Sequence, residues 1–179
     1  FKTVPLLEDG ADLDALRAIL RKGEPAPKLF YIVPTFQNPS GITYSKEKRK
    51  ELAEIVTEHN LIVVEDNPYA KLRFEGDDIR SFKAFCPDNT IYLSSFSKIL
   101  SPGFRMAWVC APKDVIKKLT IMKQATDLCS NTYSQVITYE LLRRGLIDRH
   151  IPWIAAMYKE KRDIMIKAME EYFPPEATW

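Results

Sequence analysis

Four short runs of apolar residues stand out against the mixed polar and apolar positions of the rest of the chain. They are residues 28–34 (KLFYIVP), 61–65 (LIVVE), 90–95 (TIYLSS) and 106–112 (MAWVCAP). Continuous runs of this length, rich in branched and aromatic residues, are typical of strands buried in a parallel sheet. The pattern therefore predicts four buried strands.

Between and after these runs, apolar residues recur at helical spacing. The predicted helices cover residues 11–23, 45–60, about 115–122, about 136–142 and 152–173. Ser45 is a candidate N-cap, Gly23 a C-terminal stop for the first helix, and Pro174 a stop for the last. Strands that alternate with helices favour an α/β sheet with right-handed crossovers. The tail beyond the fourth strand is helical throughout, so we expect it to leave the sheet for another domain.

Composition narrows the class of protein. With 179 residues, 46% of them hydrophobic and 28% charged, the chain suits one soluble globular core. A net charge of +2 does not favour nucleic acid or a membrane surface as a partner. No apolar run is long enough to span a bilayer, and the first ten residues lack the regions of a signal peptide. We expect a cytoplasmic protein.

The cysteines and histidines do not suggest a disulfide or a metal site. The three cysteines, Cys86, Cys110 and Cys129, are widely spaced and form no C-x-x-C pair. They are interpreted as reduced thiols. His59 and His150 are far apart and neither lies near a cysteine, so solvated or capping roles are expected for both.

Polar clusters follow three of the predicted strands where those strands end. The clusters are residues 37–41 (QNPSG), 65–69 (EDNPY) and 94–98 (SSFSK). In open α/β sheets the ligand binds beyond the carboxyl ends of the strands. We therefore expect the clusters to form one site. It would offer an amide, a carboxylate, a phenol, hydroxyls and an amine, with the guanidinium of Arg105 close by.

This set of groups suits one kind of chemistry. In a partly desolvated site beside Arg105, burial and like charge both penalise the ammonium of Lys98, so its neutral amine is favoured. A neutral amine attacks aldehydes and forms a Schiff base. A carboxylate on a neighbouring strand can hold a protonated ring nitrogen, and serines with an arginine can bind phosphate. Aldehyde, ring nitrogen and phosphate together describe pyridoxal phosphate.

Three motifs carry a resemblance to a known family. S-x-S-K-x-x-x-P-G-x-R-x-x-W (95–108), N-P-S-G (38–41) and D-N-P-Y (66–69) resemble the fold type I pyridoxal-phosphate aminotransferases of class I and II. The fuller stretches QNPSG, VVEDNPY and SFSKILSPGFR are similar to the branch of 2-aminoadipate, kynurenine and aromatic aminotransferases. The similarity runs from about Lys28 to the end of the chain.

The resemblance implies roles for individual residues. Lys98 is similar to the lysine that forms the Schiff base and carries the proton between the substrate carbon and the cofactor. Asp66 resembles the carboxylate that pairs with the pyridinium nitrogen. Asn38 and Tyr69 resemble the pair that hydrogen-bonds the 3′-oxygen of the ring. The resemblance therefore implies that Tyr69 is a catalytic residue together with Lys98 and Asp66. The phosphate ligands would be Ser95, Ser97 and Arg105, and Pro39 and Gly41 would shape the loop that presents Asn38.

The resemblance also implies an architecture and partners. The fold is expected to be α/β, a three-layer α/β/α arrangement with a mostly parallel sheet. Residues 1–150 would form part of the cofactor-binding large domain. Residues 151–179 would form a connecting helix and the start of a small C-terminal domain. Other elements of the family site are expected outside these residues, so the chain resembles the central piece of a longer enzyme. The partners would be an amino acid, a 2-oxo acid and a second subunit in a homodimer.

Other functions remain open at this stage. An aminotransferase-like sensor domain of a transcription regulator would use the same pocket as a ligand switch. A β-lyase or a decarboxylase would use the same cofactor for another reaction. A nucleotide-binding α/β domain is disfavoured because the chain has neither G-x-G-x-x-G nor G-x-x-x-x-G-K. Asp127 and Tyr133 are further candidates for a substrate or subunit edge.

Overall fold

The computed structural model of the chain describes residues 1–22 and 25–178, so Gly23 and Trp179 lie outside the described residues. The strands are β1 (Leu6–Leu7), β2 (Gly10–Ala11), β3 (Leu29–Ile32), β4 (Ile62–Asp66), β5 (Thr90–Ser95) and β6 (Ala107–Cys110). The α-helices are α1 (Leu13–Lys22), α2 (Lys46–Glu58), α3 (Lys113–Asp127), α4 (Thr132–Arg143) and α5 (Leu146–Tyr172). Short 3₁₀ turns cover Ala70–Leu72, Phe82–Ala84 and Pro102–Phe104.

The four predicted strands form one sheet in the order β3-β4-β5-β6. β3, β4 and β5 are parallel, whereas β6 returns antiparallel to β5. β1 and β2 form a separate antiparallel pair that the apolar pattern does not predict. The α/β fold with a mostly parallel sheet is therefore confirmed. The carboxyl ends of β3, β4 and β5 meet at one edge, as the site hypothesis requires.

Helix α2 begins as the sequence predicts. Ser45 is its N-cap, and its hydroxyl oxygen accepts a hydrogen bond from the backbone nitrogen of Lys48 at 3.0 Å. The last helix begins at Leu146, earlier than the predicted start at Pro152, which lies inside it. Gly145 adopts a left-handed φ of 61° between α4 and α5. That backbone favours glycine, so Gly145 separates the two helices.

The main core lies on one face of the sheet. Apolar residues of α1 and α2 pack there against Ile32 and Val63 (the core includes Leu13, Leu16, Leu52, Ile55, Val56 and Phe82). The opposite face is more open, because Leu29 and Tyr31 of β3 are 51% and 54% exposed. The expectation that β3 is buried is therefore wrong for this face. The reason is that β3 is an edge strand and α1 and α2 cover only its other side. The expectation of burial is also wrong for β6, the other edge strand, whose four residues are all exposed.

A second, smaller core forms at the carboxyl end of β5. Phe96, Ile99 and Ile147 are buried there, and Leu141 of α4 packs against them. This contact attaches α4 and the start of α5 to the turn that follows β5. The helical tail predicted beyond β6 is present as α3, α4 and α5. None of the helices in the described ranges has the length and apolarity needed to cross a bilayer.

Candidate active site

Lys98 lies in the turn that follows β5. The turn is closed by the backbone nitrogen of Leu100, which donates to the carbonyl of Phe96 at 2.8 Å. Because Phe96 and Ile99 point into the second core, Lys98 is directed outward and is exposed. Its Nζ lies 5.7 Å from the centre of the Tyr69 ring, within the range of a cation–π contact. The partial desolvation expected for Lys98 is not supplied by the described part of the chain.

Asp66 is the last residue of β4 and is paired in register with Leu93 of β5. Its side chain is half-buried, and Oδ2 accepts a hydrogen bond from the hydroxyl of Tyr31 at 2.7 Å. Among the described residues Oδ1 has no hydrogen-bond partner. The carboxylate is therefore held by one oxygen and offers the other to a ligand.

The predicted phosphate ligands lie on the connection between β5 and β6. The hydroxyl of Ser95 donates to the carbonyl of Met106 at 3.3 Å and accepts from the backbone nitrogen of Ser97 at 3.0 Å. Arg105 has a left-handed φ of 53° and is exposed, with Nη1 donating to the carbonyl of Pro102 at 3.2 Å. Non-glycine residues with positive φ are uncommon and recur at functional sites. Ser95 would need to rotate its hydroxyl to donate to a phosphate.

Asn38 lies in the loop that follows β3 and is exposed. The side chain of Gln37 closes this loop. Its Nε2 donates to the carbonyl of Asn38 at 2.8 Å, and its Oε1 accepts from the backbone nitrogen of Ser40 at 2.9 Å. Gly41 has a φ of 74°, which suits glycine, and the Asn38–Pro39 peptide bond is cis. No hydrogen bond joins the Asn38 side chain to the other predicted site residues within the described ranges.

Asn67, the first residue of the loop that carries Tyr69, joins this loop to β5 by hydrogen bonds. The backbone nitrogen of Asn67 donates to the carbonyl of Leu93 at 2.9 Å, and the hydroxyl of Ser94 donates to the carbonyl of Asn67 at 2.9 Å. Ser94 and Asn67 are both buried. The hydroxyl of Ser94 therefore has a structural task that the motif does not reveal.

Glu65 is fully buried beneath the site and anchors the chain that returns to β5. Its carboxylate accepts hydrogen bonds from the backbone nitrogens of Phe82 at 2.9 Å and Lys83 at 2.8 Å. It also accepts from Nδ2 of Asn67 at 3.1 Å. Burial raises the pKa of Glu65, against the opposing effect of these donors. The acidic residue next to Asp66 is therefore a structural group on the opposite face of the strand.

Arg49 of α2 is the largest fully buried side chain, and the apolar pattern does not predict its burial. Its guanidinium stabilises the segment between β3 and α2 by donating three hydrogen bonds. They go to the carbonyl of Pro34 at 2.7 Å, the carbonyl of Tyr44 at 3.1 Å and Oγ1 of Thr35 at 3.0 Å. Burial lowers the pKa of Arg49. These oxygens accept hydrogen bonds from the guanidinium in a buried setting, which explains a charge in this place.

The structure thus joins Asp66, Tyr69 and Lys98 at one edge of the sheet and places Tyr31 among them. Sequence reasoning missed Tyr31 because it lies inside an apolar run. A signal was available in the sheet register, since Tyr31 pairs with Val64, two residues before Asp66. On parallel strands such residues share a face. Asp127 and Tyr133 lie apart from this group, on α3 and α4.

Among the described residues, neither Asp127 nor Tyr133 makes a side-chain hydrogen bond or ion pair with another predicted site residue. Asp127 pairs with Lys123 one turn earlier on α3. Tyr133 is exposed on α4. His59 is the C-cap of α2, and His150 stacks on Trp153 at 5.4 Å between ring centres. In the part of the chain that the structure describes, no cluster of histidine, cysteine and acidic side chains could hold a metal ion.

Comparisons with known proteins identify a family that matches the chain. The family described as aminotransferase class I and II matches residues 1–177. The chain is 44% identical over 183 residues to aromatic-amino-acid aminotransferase 1 of Thermococcus litoralis, covering 100% of the chain and 44% of that relative. The crystal structure of a Pyrococcus horikoshii kynurenine aminotransferase in complex with PMP, KYN as substrates and KYA as products matches with a TM-score of 0.94. That match has 40% identity and covers 98% of the chain and 45% of the solved chain.

A different kind of protein also matches. An uncharacterized HTH-type transcriptional regulator of Bacillus subtilis, YisV, is 35% identical over 153 residues. This match covers 85% of the chain and 32% of the regulator. Across these matches the chain spans less than half the length of each relative.

Proposed function

The chain belongs to the aminotransferase class I and II family, and from this membership we propose that its protein transfers an amino group between an amino acid and a 2-oxo acid. The cofactor would be pyridoxal phosphate. The amino acid would be aromatic, 2-aminoadipate or a similar one, because relatives with these names are 44% and 37% identical to the whole chain. The proposal includes a homodimer in the cytoplasm as the working form.

One observation carries the proposal. Lys98, Tyr69 and Asp66 come from two different connections of the sheet, yet they converge at the carboxyl edge, with Lys98 Nζ 5.7 Å from the Tyr69 ring centre. Asp66 lies at the end of the neighbouring strand, and one of its carboxylate oxygens has no hydrogen-bond partner in the described part of the chain. A lysine amine and a carboxylate are the groups by which proteins hold a pyridoxal cofactor, at its aldehyde and at its ring nitrogen.

The donor set fits the cofactor. When bound, pyridoxal phosphate supplies an aldehyde that condenses with amines and a ring that takes up electrons. Oδ1 of Asp66 could hold the ring nitrogen, because Oδ2 is already engaged by Tyr31. Arg105 is exposed, and within residues 1–22 and 25–178 only its Nη1 makes a side-chain hydrogen bond, so its remaining donors could bind phosphate. Ser97 and Ser95 flank the same turn.

The chain's own residues would divide the work between binding and proton transfer. Lys98 Nζ would take the proton from the substrate carbon and return it, because its exposed amine can move within the site. Asp66 would keep a proton on the ring nitrogen by its negative charge. Asn38 and Tyr69 would orient the ring from its 3′-oxygen side, and the loop closed by Gln37 would position Asn38.

The division into domains is part of the same proposal. Residues 1–150 would belong to the cofactor-binding domain, and residues 151–179 would lead into a second, smaller domain. The position of α5 supports this idea, because its first turns pack against the core near β5 through Ile147, whereas Ile164 and Met165 farther along are exposed. Exposed apolar side chains of that kind are suited to packing against another domain.

A sensor domain of a transcription regulator is the second candidate. It is favoured by the 35% identity to the HTH-type regulator of Bacillus subtilis. The same pocket would then bind ligand without turnover. Steady production of a 2-oxo acid by the purified protein would distinguish an aminotransferase from such a sensor.

The proposed function is tested by chemical trapping in the protein that carries this sequence. The protein is incubated with pyridoxal phosphate, reduced with borohydride and digested, and the peptides are mapped. We expect a pyridoxyl group on Lys98. Lys83 is the matched control, because its Nζ is held by the carbonyls of Pro87 and Thr90, each at 2.8 Å. Labelling of another lysine in place of Lys98 would contradict the assignment.

A further inference from the structure

Tyr31 lies at the predicted site, yet the motifs assign it no role. It is in the middle of β3, and its hydroxyl donates a hydrogen bond of 2.7 Å to Oδ2 of Asp66. The donor and the acceptor come from two neighbouring strands and are 35 residues apart in sequence. The contact therefore depends on the tertiary structure.

The sheet register makes this contact a consequence of the fold. Tyr31 is paired with Val64, and side chains two residues apart on a strand share a face. Tyr31 and Asp66 thus stand on the same open face, opposite to the face that α1 and α2 cover. The phenol of Tyr31 is long enough to reach from β3 to the carboxylate of Asp66 at the end of β4. A shorter side chain at position 31 would leave Asp66 without this partner.

We propose that Tyr31 is a positioning residue for Asp66, fixing Oδ2 so that Oδ1 faces the ring nitrogen of the cofactor. This inference rests on the proposed function. A carboxylate that already accepts one strong hydrogen bond rotates less freely and gives less of its charge to a second donor. The shared proton would consequently stay on the ring nitrogen instead of moving to Asp66.

The phenol is suited to this task because it remains a donor. Partial burial of Tyr31 and its hydrogen bond to Asp66 raise the pKa of the hydroxyl to about 12, and the nearby Tyr69 acts in the same direction. The Tyr31 hydroxyl therefore keeps its proton at every pH well below 12. A histidine in its place would change its charge within that range.

The test uses the holo form of the protein that carries this sequence, with Tyr31→Phe as the variant. Tyr158→Phe is the control, since Tyr158 is 41% exposed on α5 and has no contact with Asp66 in the described structure. The cofactor is labelled with ¹⁵N in its ring, and its NMR shift reports whether the ring nitrogen is protonated. We expect the signal to move toward the unprotonated value in Tyr31→Phe and to stay unchanged in Tyr158→Phe.

Two further measurements separate positioning from a loss of structure. In Tyr31→Phe the rate of the first half-reaction at saturating amino acid should fall about tenfold, while KM stays the same, because a hydrogen bond to a charged group is lost. Replacing Tyr31 with 3-fluorotyrosine keeps the shape and makes the phenol a stronger donor. This change should move the ring signal further toward the protonated value.

The outcomes distinguish this inference from the proposed function. If Lys98 is labelled by borohydride and both the ring signal and the half-reaction of Tyr31→Phe equal those of the control, only the role of Tyr31 is overturned. If Tyr31→Phe does not fold, an unchanged signal with 3-fluorotyrosine overturns it equally. If the protein takes up no pyridoxal phosphate, the proposed function and the role of Tyr31 both fail.

Discussion

At the scale of single residues, neighbouring carboxylates of one strand have opposite surroundings. Glu65 is fully buried and accepts hydrogen bonds from backbone nitrogens, so it stabilises the fold. Asp66 stands on the other face, half-buried, and its Oδ1 has no hydrogen-bond partner among the residues that the structure describes. Alternation of side chains along a strand is the cause of this difference. The motif E-D-N-P-Y therefore combines a structural acid with the acid that we propose for the site.

Replacing Asp66 by asparagine tests the role proposed for this carboxylate. Asp66→Asn keeps the size of the side chain and an oxygen that can accept from Tyr31, but it removes the negative charge. We expect the half-reaction to slow by several orders of magnitude, which corresponds to about 4 kcal/mol or more of transition-state stabilisation. Rapid-mixing absorbance measurements follow the half-reaction.

The control for Asp66→Asn is Asp114→Asn, which changes an exposed carboxylate in the first turn of α3. It should react like the unmodified protein. If Asp66→Asn also kept the unmodified rate, Asp66 would not belong to the site.

At the scale of elements, α5 is connected to the loop that follows Tyr69. Arg162 donates to both oxygens of Glu75, at 2.9 Å from Nη1 and 2.6 Å from Nη2, and its guanidinium lies 4.9 Å from the centre of the Phe74 ring. Lys159 adds a contact to Glu75 at 3.3 Å. A bidentate arginine–carboxylate ion pair has a defined geometry. These contacts place α5 relative to the loop that begins at Asp66.

This ion-pair group predicts a dependence of stability on pH. Arg162 and Lys159 lower the pKa of Glu75 from 4.5 to about 2. A carboxyl group whose pKa is lower in the folded state favours folding above its ordinary pKa, and the effect is lost as the pH falls from about 4.5 to about 2. Glu75→Gln should therefore lower Tm near neutral pH, by no more than about 4 °C because the pair is exposed.

Thermal unfolding at several pH values and salt concentrations measures this effect. The difference in Tm between Glu75→Gln and the unmodified protein should shrink as the pH falls toward 2 and also at high salt. Glu160→Gln, an exposed change on the same helix, is the control and should leave Tm unchanged. An equal Tm for both variants at neutral pH would show that the ion pair adds nothing.

At the scale of the whole molecule, the described residues cover β3 and β4 on one face of the sheet and leave the other face more open. The face that carries Tyr31 and Asp66 lacks the cover that α1 and α2 give to the opposite face. Lys98 and Arg105 are exposed at the edge. The chain spans 44% of the length of the Thermococcus litoralis relative. A cofactor bound at this edge would be in contact with protein on only part of its surface.

A polypeptide limited to residues 1–179 is therefore expected to bind pyridoxal phosphate weakly and not to transaminate. Each charge-assisted hydrogen bond that site elements outside residues 1–179 would contribute is worth roughly 1.5–3 kcal/mol, so the lack of two of them would weaken binding by orders of magnitude. Substrate would also not be oriented for proton transfer. Spectral titration with the cofactor, followed by addition of an amino acid, measures both properties. Tight stoichiometric binding with turnover would contradict this expectation.

Local patterns were sufficient to predict much of this protein from its sequence. The four sheet strands, the N-cap at Ser45 and the helical tail depend on residues near one another in the chain, and the structure confirms them. The family was also evident, because its motifs are contiguous. The position of the polar clusters at one edge followed from the rule that parallel strands end together.

Only the tertiary structure decided what each residue meets across the fold. It brought the hydroxyl of Tyr31 to Asp66 and left Lys98 exposed. It also buried Arg49, a charged residue whose burial the apolar pattern does not predict. It also made β3 an edge strand with an open face, where continuous hydrophobicity had predicted full burial. The physical reason is that hydrophobic periodicity reports on the neighbours along one strand or helix. The contacts of a residue with other strands depend on the register of the sheet and on which segments cover each face. A local sequence pattern predicts neither of these.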